Sequence, residues 1–161
     1  VTVEPRDYLG RYGDGPLAGV ALQRALERRS FELGGGDFVA PAQRLADFVA
    51  RRPTETALPS SYRPRVVGGD VRSGLPPFVG DALEKALSRF QRTMPGFLDG
   101  NAQLVGVETR TSSPVRIVRN DGLASPTHPG LYPAGEGAGY AGGIVSAAVD
   151  GMRIADAILA T

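Results

Sequence analysis

The sequence predicts an α+β protein: a helical and loop-rich first hundred residues, then strands, then a C-terminal strand-turn-helix. Three observations carry that reading. Before residue 100, apolar residues recur at helical spacing in three stretches, each opened by proline and separated by glycine- or proline-rich breaks. Strand character returns at 102–107 and 115–118. Finally, a glycine-rich turn at 135–143 joins a short apolar run, 131–134, to a last helix-period segment.

In chain order, Val1-Thr2-Val3-Glu4 alternates as a short strand would. Residues 6–16 form a loop. Pro16 suits a first helical turn, and Leu17, Val20, Ala21, Ala25 and Leu26 give a helical stripe through Ser30. Gly34-Gly35-Gly36-Asp37 is a linker; no apolar strand precedes it, so it makes a weak phosphate cradle. Pro41 is expected to start a second helix with Leu45, Phe48 and Val49 inward, putting Gln43 and Arg44 in its first turn. Residues 53–77 hold five prolines and little periodicity, as a loop excursion would. A third helix is expected from Pro76-Pro77, with Ala82, Leu83, Ala86, Leu87 and Phe90 at helical spacing, ended by Pro95-Gly96.

Composition excludes several functions. With 18 basic and 17 acidic residues spread along the chain, net charge is +1, and no nucleic-acid or anionic-membrane footprint exists. There is no cysteine, hence no disulfide or thiolate chemistry. His128, the one histidine, sits in a Ser-Pro-Thr-His-Pro-Gly turn, with no second histidine or tight carboxylate cluster to suggest a metal site. No transmembrane run or signal peptide is read, and a cytoplasmic protein is expected. The chain opens without Met inside an apparent strand, Val1-Thr2-Val3, which leads us to expect a piece of a longer protein.

The most informative stretch is Gly130-Leu-Tyr-Pro-Ala-Gly135-Glu136-Gly137-Ala-Gly139-Tyr140-Ala141-Gly142-Gly143 and the helix after it. Gly139, Gly143, Ala147, Gly151 and Ala155 recur every four residues, so they are expected along one face of that helix. Helical glycine costs about 0.5–1 kcal/mol relative to alanine. Such a stripe therefore implies close approach by a backbone or a flat ligand, with the helix buried over most of its girth. Gly137-Ala-Gly139-Tyr-Ala-Gly142 is a literal G-x-G-x-x-G, yet no second parallel strand with an acid about 20 residues on follows it, so a complete dinucleotide unit is refused. A helix N-terminus ready for an electron-rich ligand remains.

This segment resembles the C-terminal flavin-closing motif of two-dinucleotide-fold flavoproteins, and most closely the FAD-dependent dehydrogenase family. Glu108-Thr-Arg110-Thr111-Ser112-Ser113-Pro-Val-Arg116-Ile is similar to a second segment of that family, as are Ala40-Pro-Ala-Gln43 and Met94-Pro-Gly-Phe97. The resemblance implies that residues 101–161 are the C-terminal part of an FAD-binding domain and residues 1–100 an inserted substrate-side region. It implies a flavin contact by Gly135, Glu136, Gly137, Gly139, Tyr140, Ala141, Gly142 and Gly143. Glu136, where many relatives carry Asp, would accept hydrogen bonds from the ribityl chain. Amides at Gly142 or Gly143 and the helix dipole would favour negative charge at the flavin pyrimidine edge.

Arg110, Thr111, Ser112 and Ser113 have two open readings: a substrate-binding cluster on the flavin's reacting face, or a turn that caps its own backbone. The resemblance supplies no general acid or base. It implies FAD in the full-length protein but not tight binding by this piece, because the N-terminal FAD-binding half would be the missing partner. The implied activity is that of an oxidoreductase acting on a small-molecule substrate. The competing reading is a free-standing α+β ligand-binding or interaction domain without redox activity, whose glycine-rich end only packs.

Overall fold

The computed structural model describes residues 1–160. The protein is mixed α+β and divides into two compact units, one of Val1–Glu4 with Arg24–Glu108, the other of Pro5–Gln23 with the chain from Thr109 onward. The first four residues are exposed and pair with no strand, so the alternation there does not make a ladder.

The first unit is built around a strand where the proline pattern predicts a helix. Ala40–Arg44 is β1, flanked by β2 (Val66–Gly68) and β3 (Gln103–Val105) in the order β2-β1-β3. β2 runs parallel to β1 with Pro41 opposite Val67, and β3 antiparallel with Gln43 opposite Leu104. Two facts explain why Pro41 is not a helix start. A residue preceding proline is pushed towards extended backbone, and β1 is buried from Ala40 to Gln43, so partners on both sides outweigh local preference. Proline sacrifices only a donor: its carbonyl still accepts the Gly106 N–H at 3.0 Å. Gln43, expected on a helix's first turn, is fully buried in the sheet. Its amide donates to Arg52 O at 2.8 Å and its Oε1 accepts the Arg72 N–H at 2.9 Å.

The expected helix survives as the short α3, Leu45–Val49. Phe48 is fully buried and packs with Leu45 and with Leu87 of α4, Pro77–Thr93, whose proline start follows the sequence reading. The Arg72 guanidinium lies 5.3 Å from the Phe48 ring and pairs with Asp81 and Glu84 of α4. The Gly34 linker has a steric role: a Cβ there would sit 1.8 Å from the Val39 carbonyl oxygen.

The second unit contains α1 (Pro5–Tyr8), the opening of α2 (Ala18–Leu33), a long irregular path and α5 (Ile144–Leu159). Residues 115–118, expected as a strand, carry one backbone bond, Ile117 N–H to Ala138 O at 3.1 Å, and no ladder among the described residues. Residues 131–134 likewise make no strand. Pro133 has no N–H to give, and Leu131 is engaged with Ser125 and His128 instead.

The C-terminal helix differs from expectation in two respects. It begins at Ile144, with Gly143 as an extended N-cap and Gly139 in the turn before it, so the helical small-residue stripe is Ala147, Gly151 and Ala155 alone. Nor is its girth buried. Only Asp150 and Ile154 are buried, whereas Ile144 is 91% exposed and Met152 68%. The reason is contact on one edge only: a Cβ at Gly135 would lie 3.5 Å from that of Ala147, but one at Gly151 meets nothing within 4 Å. Among the described residues, no helix is long and apolar enough to cross a membrane.

Candidate functional site

The glycine-rich turn at residues 135–140 closes on itself and is tied down at both ends. Tyr140 N–H donates to Gly135 O at 3.0 Å and Gly139 N–H to Glu136 O at 2.9 Å. Gly135 and Gly139 hold φ of +63° and +82°, a region that L side chains rarely adopt. At Gly139 space is also absent, because a Cβ would fall 2.4 Å from Val115 O and 3.0 Å from Arg116 Cα. This glycine lets the turn lie against 115–117, where Arg116 Nε donates to Gly139 O at 3.1 Å and Tyr140 OH to Ile117 O at 3.0 Å.

Beneath the turn sits an ion pair that the sequence reading did not single out. Arg119 donates to both oxygens of Asp150, at 2.9 and 2.7 Å, and again to Pro133 O at 2.9 Å. The same Asp150 carboxylate accepts the Gly135 N–H at 2.8 Å. The Arg119 guanidinium lies 3.6 Å from the Tyr140 ring centroid and that of Arg116 4.8 Å, a doubled cation–π arrangement. Both ion-pair side chains are nearly buried. Hydrogen bonding from Arg119, then from Gly135, holds the Asp150 carboxyl down at about 2, and the bond to Asp150 raises Arg119. The one signal in the sequence is an acid, Asp150, in the middle of a largely apolar helix-period segment; its partner 31 residues away carries none.

The other side of the turn is open. Glu136 is half-buried, and its carboxylate has no hydrogen-bond or ion-pair partner among the described residues. Added Cβ atoms at Gly137 or Gly142 meet nothing within 4 Å, and one at Gly143 meets only Ser146 Oγ at 3.7 Å. No side chain caps α5, leaving first-turn amides free for a ligand. An open groove runs along this end of the helix past Tyr140, Gly143, Ser146, Val149 and Arg153. Ala141, half-buried, lies between the turn and that helix end.

Of the hydroxyl cluster, Ser113 reaches the turn: its Oγ donates to Val115 O at 2.9 Å and lies 3.2 Å from Gly137 O. Arg110, Thr111 and Ser112 are exposed, and the Gln23 amide holds this stretch through Thr109 O and Ser112 O at 2.8 and 3.4 Å.

A sequence profile for a family described as FAD-dependent protein, C-terminal domain-like, matches residues 1–111. The chain belongs to that family. The matched range takes in β1 to β3 and stops short of the turn at 135–140. Similarity continues further in an uncharacterized protein of Clostridium beijerinckii, 43% identical over 162 residues. That alignment covers 99% of this chain and 30% of the relative, so the chain spans less than a third of the relative's length.

Family membership points to FAD in the whole protein, and the local chemistry suits part of that molecule. An unpartnered carboxylate accepts from sugar-type hydroxyls, free helical amides donate to ring carbonyls, and three glycines leave a flat face without side chains.

Proposed function

We propose that this chain is the C-terminal portion of an FAD-dependent oxidoreductase of the two-dinucleotide-fold type, and that residues 135–143 close its flavin site. FAD, when bound, supplies the electron-accepting and electron-returning chemistry. This chain's residues bind and orient. Glu136 takes the ribityl hydroxyls; the amides of Gly142, Gly143 and the first turn of α5 face the pyrimidine carbonyl edge, where the helix dipole favours negative charge. Gly137, Gly142 and Gly143 keep the approach free of side chains, Ala141 adds only a methyl, and Gly139 lets the turn pack on 115–117. Gly135 and Tyr140 shape the turn.

In this reading residues 101–161 complete an FAD-binding domain and residues 1–100 are an inserted region on the substrate side. Arg110, with Thr111, Ser112 and Ser113, lines the substrate's face, its guanidinium offering a planar donor fork to a carboxylate. The partner of this chain is the N-terminal FAD-binding half of the same polypeptide, working in the cytoplasm on a small molecule. The uncovered apolar side of α5 supports a partner in that position.

The observation that carries the proposal is Glu136: a carboxylate left without a partner, between open glycines and an uncapped helix N-terminus. The test is FAD content of the full-length polypeptide, released by denaturation and quantified by absorption. Glu136→Gln should lower occupancy and weaken rebinding about tenfold or more, the scale of one charge-assisted hydrogen bond. Unchanged occupancy and affinity would remove Glu136 from the site and the proposal with it.

A further inference from the structure

We infer that Asp150 is the positioning residue of this turn: it sets the direction of Glu136 without touching the ligand. The inference rests on the flavin-site reading above.

One carboxylate controls both ends of the 135–140 segment. At the start it accepts the Gly135 N–H at 2.8 Å, fixing the peptide that leads into Gly135, the residue before Glu136. At the end it acts through Arg119, which lies over the Tyr140 ring at 3.6 Å and also donates to Pro133 O. The two-point bond to Asp150, with the bond to Pro133 O, fixes the plane of the Arg119 guanidinium against the ring. The contacts that Ser113, Arg116 and Ile117 make with the turn engage Gly137, Ala138, Gly139 and Tyr140. Among the described residues, Gly135 and Glu136 are otherwise held only by the turn's own bonds, through their carbonyls to Tyr140 and Gly139. Asp150 is the partner that the Gly135 N–H finds among the described residues, and without it that N–H is left unpaired.

Asp150 stands on α5 itself, so it also couples that anchor to the helix whose amides face the same ligand. The carboxylate of Glu136 and the N-terminus of α5 therefore move as one piece. A ligand spanning both meets a preformed arrangement rather than two independent parts.

A double-mutant cycle on FAD affinity of the full-length apoprotein tests this, with thermal unfolding recorded alongside. Variants are Glu136→Gln, Asp150→Asn and both together, with Arg119→Lys replacing Asp150→Asn in a second cycle. Asn keeps an acceptor for Gly135 but gives up the charge that fixes Arg119; Lys keeps the charge but loses the planar fork. Positioning predicts coupling: Glu136→Gln weakens FAD binding about tenfold or more in the wild-type background and less than about threefold in either second background. Additive losses in a folded variant would overturn the inference, leaving the flavin-site reading intact. If both Asp150→Asn and Arg119→Lys fail to fold, the pair holds the unit rather than the turn, and the inference also falls. Loss of the reading itself looks different: Glu136→Gln is then silent in the wild-type background.

Discussion

Gly139→Ala tests the turn's geometry at its tightest point. The backbone there has φ +82°, where an alanine costs about 1–2 kcal/mol relative to its preferred regions. The new methyl would also lie 2.4 Å from Val115 O. A carbon–oxygen contact of about 3.2 Å requires the two segments to part by roughly 0.8 Å, an overpacking change of about 1–3 kcal/mol. That separation would stretch the Arg116 bond to Gly139 O and the Ile117 bond to Ala138 O, both now 3.1 Å. Together the expected loss is about 3 kcal/mol, or a fall in Tm of about 6–12 °C for a chain of this size. Circular dichroism and calorimetry on the 161-residue chain measure it. Gly142→Ala is the matched control, since nothing lies within 4 Å of its added methyl. It should stay within about 0.5 kcal/mol of wild type in the chain alone and lower FAD occupancy in the full-length polypeptide. Equal Tm for Gly139→Ala and wild type would refute the close packing of the turn on 115–117.

Other expectations follow from the two units. Phe48→Ala removes a fully buried aromatic ring beside Leu45 and Leu87 and should cost about 3–5 kcal/mol in urea unfolding. Asp150 titrates lower in the folded chain, at about 2, than its ordinary value of 3.8. Its contribution to stability is therefore present above the unfolded value and lost as pH falls through the folded one. The stability gap between wild type and Asp150→Asn should be constant at pH 5–7 and narrow from about pH 4 towards pH 2; a gap that widens on acidification contradicts the ion pair. In the full-length polypeptide, Arg110→Ala should slow substrate-dependent reduction of the flavin about tenfold or more while sparing FAD content, and reduction at the wild-type rate would reduce the cluster to a capped turn.

The parts legible in the sequence are those whose cause is local. α4 combines a proline start with a continuous apolar stripe, and Pro77–Thr93 follows from those alone. α2 was expected over 16–30 and forms over Ala18–Leu33 for the same reason. β1 was illegible because proline suits both a helix's first turn and a strand, and the choice was made by residues 66–68 and 103–105, far along the chain. β2, three residues inside a proline-rich excursion, carries no periodicity of its own. The site divides similarly. The spacing of glycines around Glu136 marked the turn, whereas the Asp150–Arg119 anchor, 31 residues apart, exists only through tertiary contact. The apolar content of α5 predicts a helix buried over most of its girth, but content gives burial only where something covers it, and its outer side is exposed.

Hydrogen–deuterium exchange on the full-length polypeptide, with and without FAD, is the most direct test of the central claim. If residues 135–143 and the first turn of α5 close the flavin site, FAD should slow exchange across 135–147, because amides now uncapped gain a partner. Residues 40–49, whose amides are already engaged within their own sheet and core, should change little. Saturating FAD that leaves exchange across 135–147 unaltered would contradict the account.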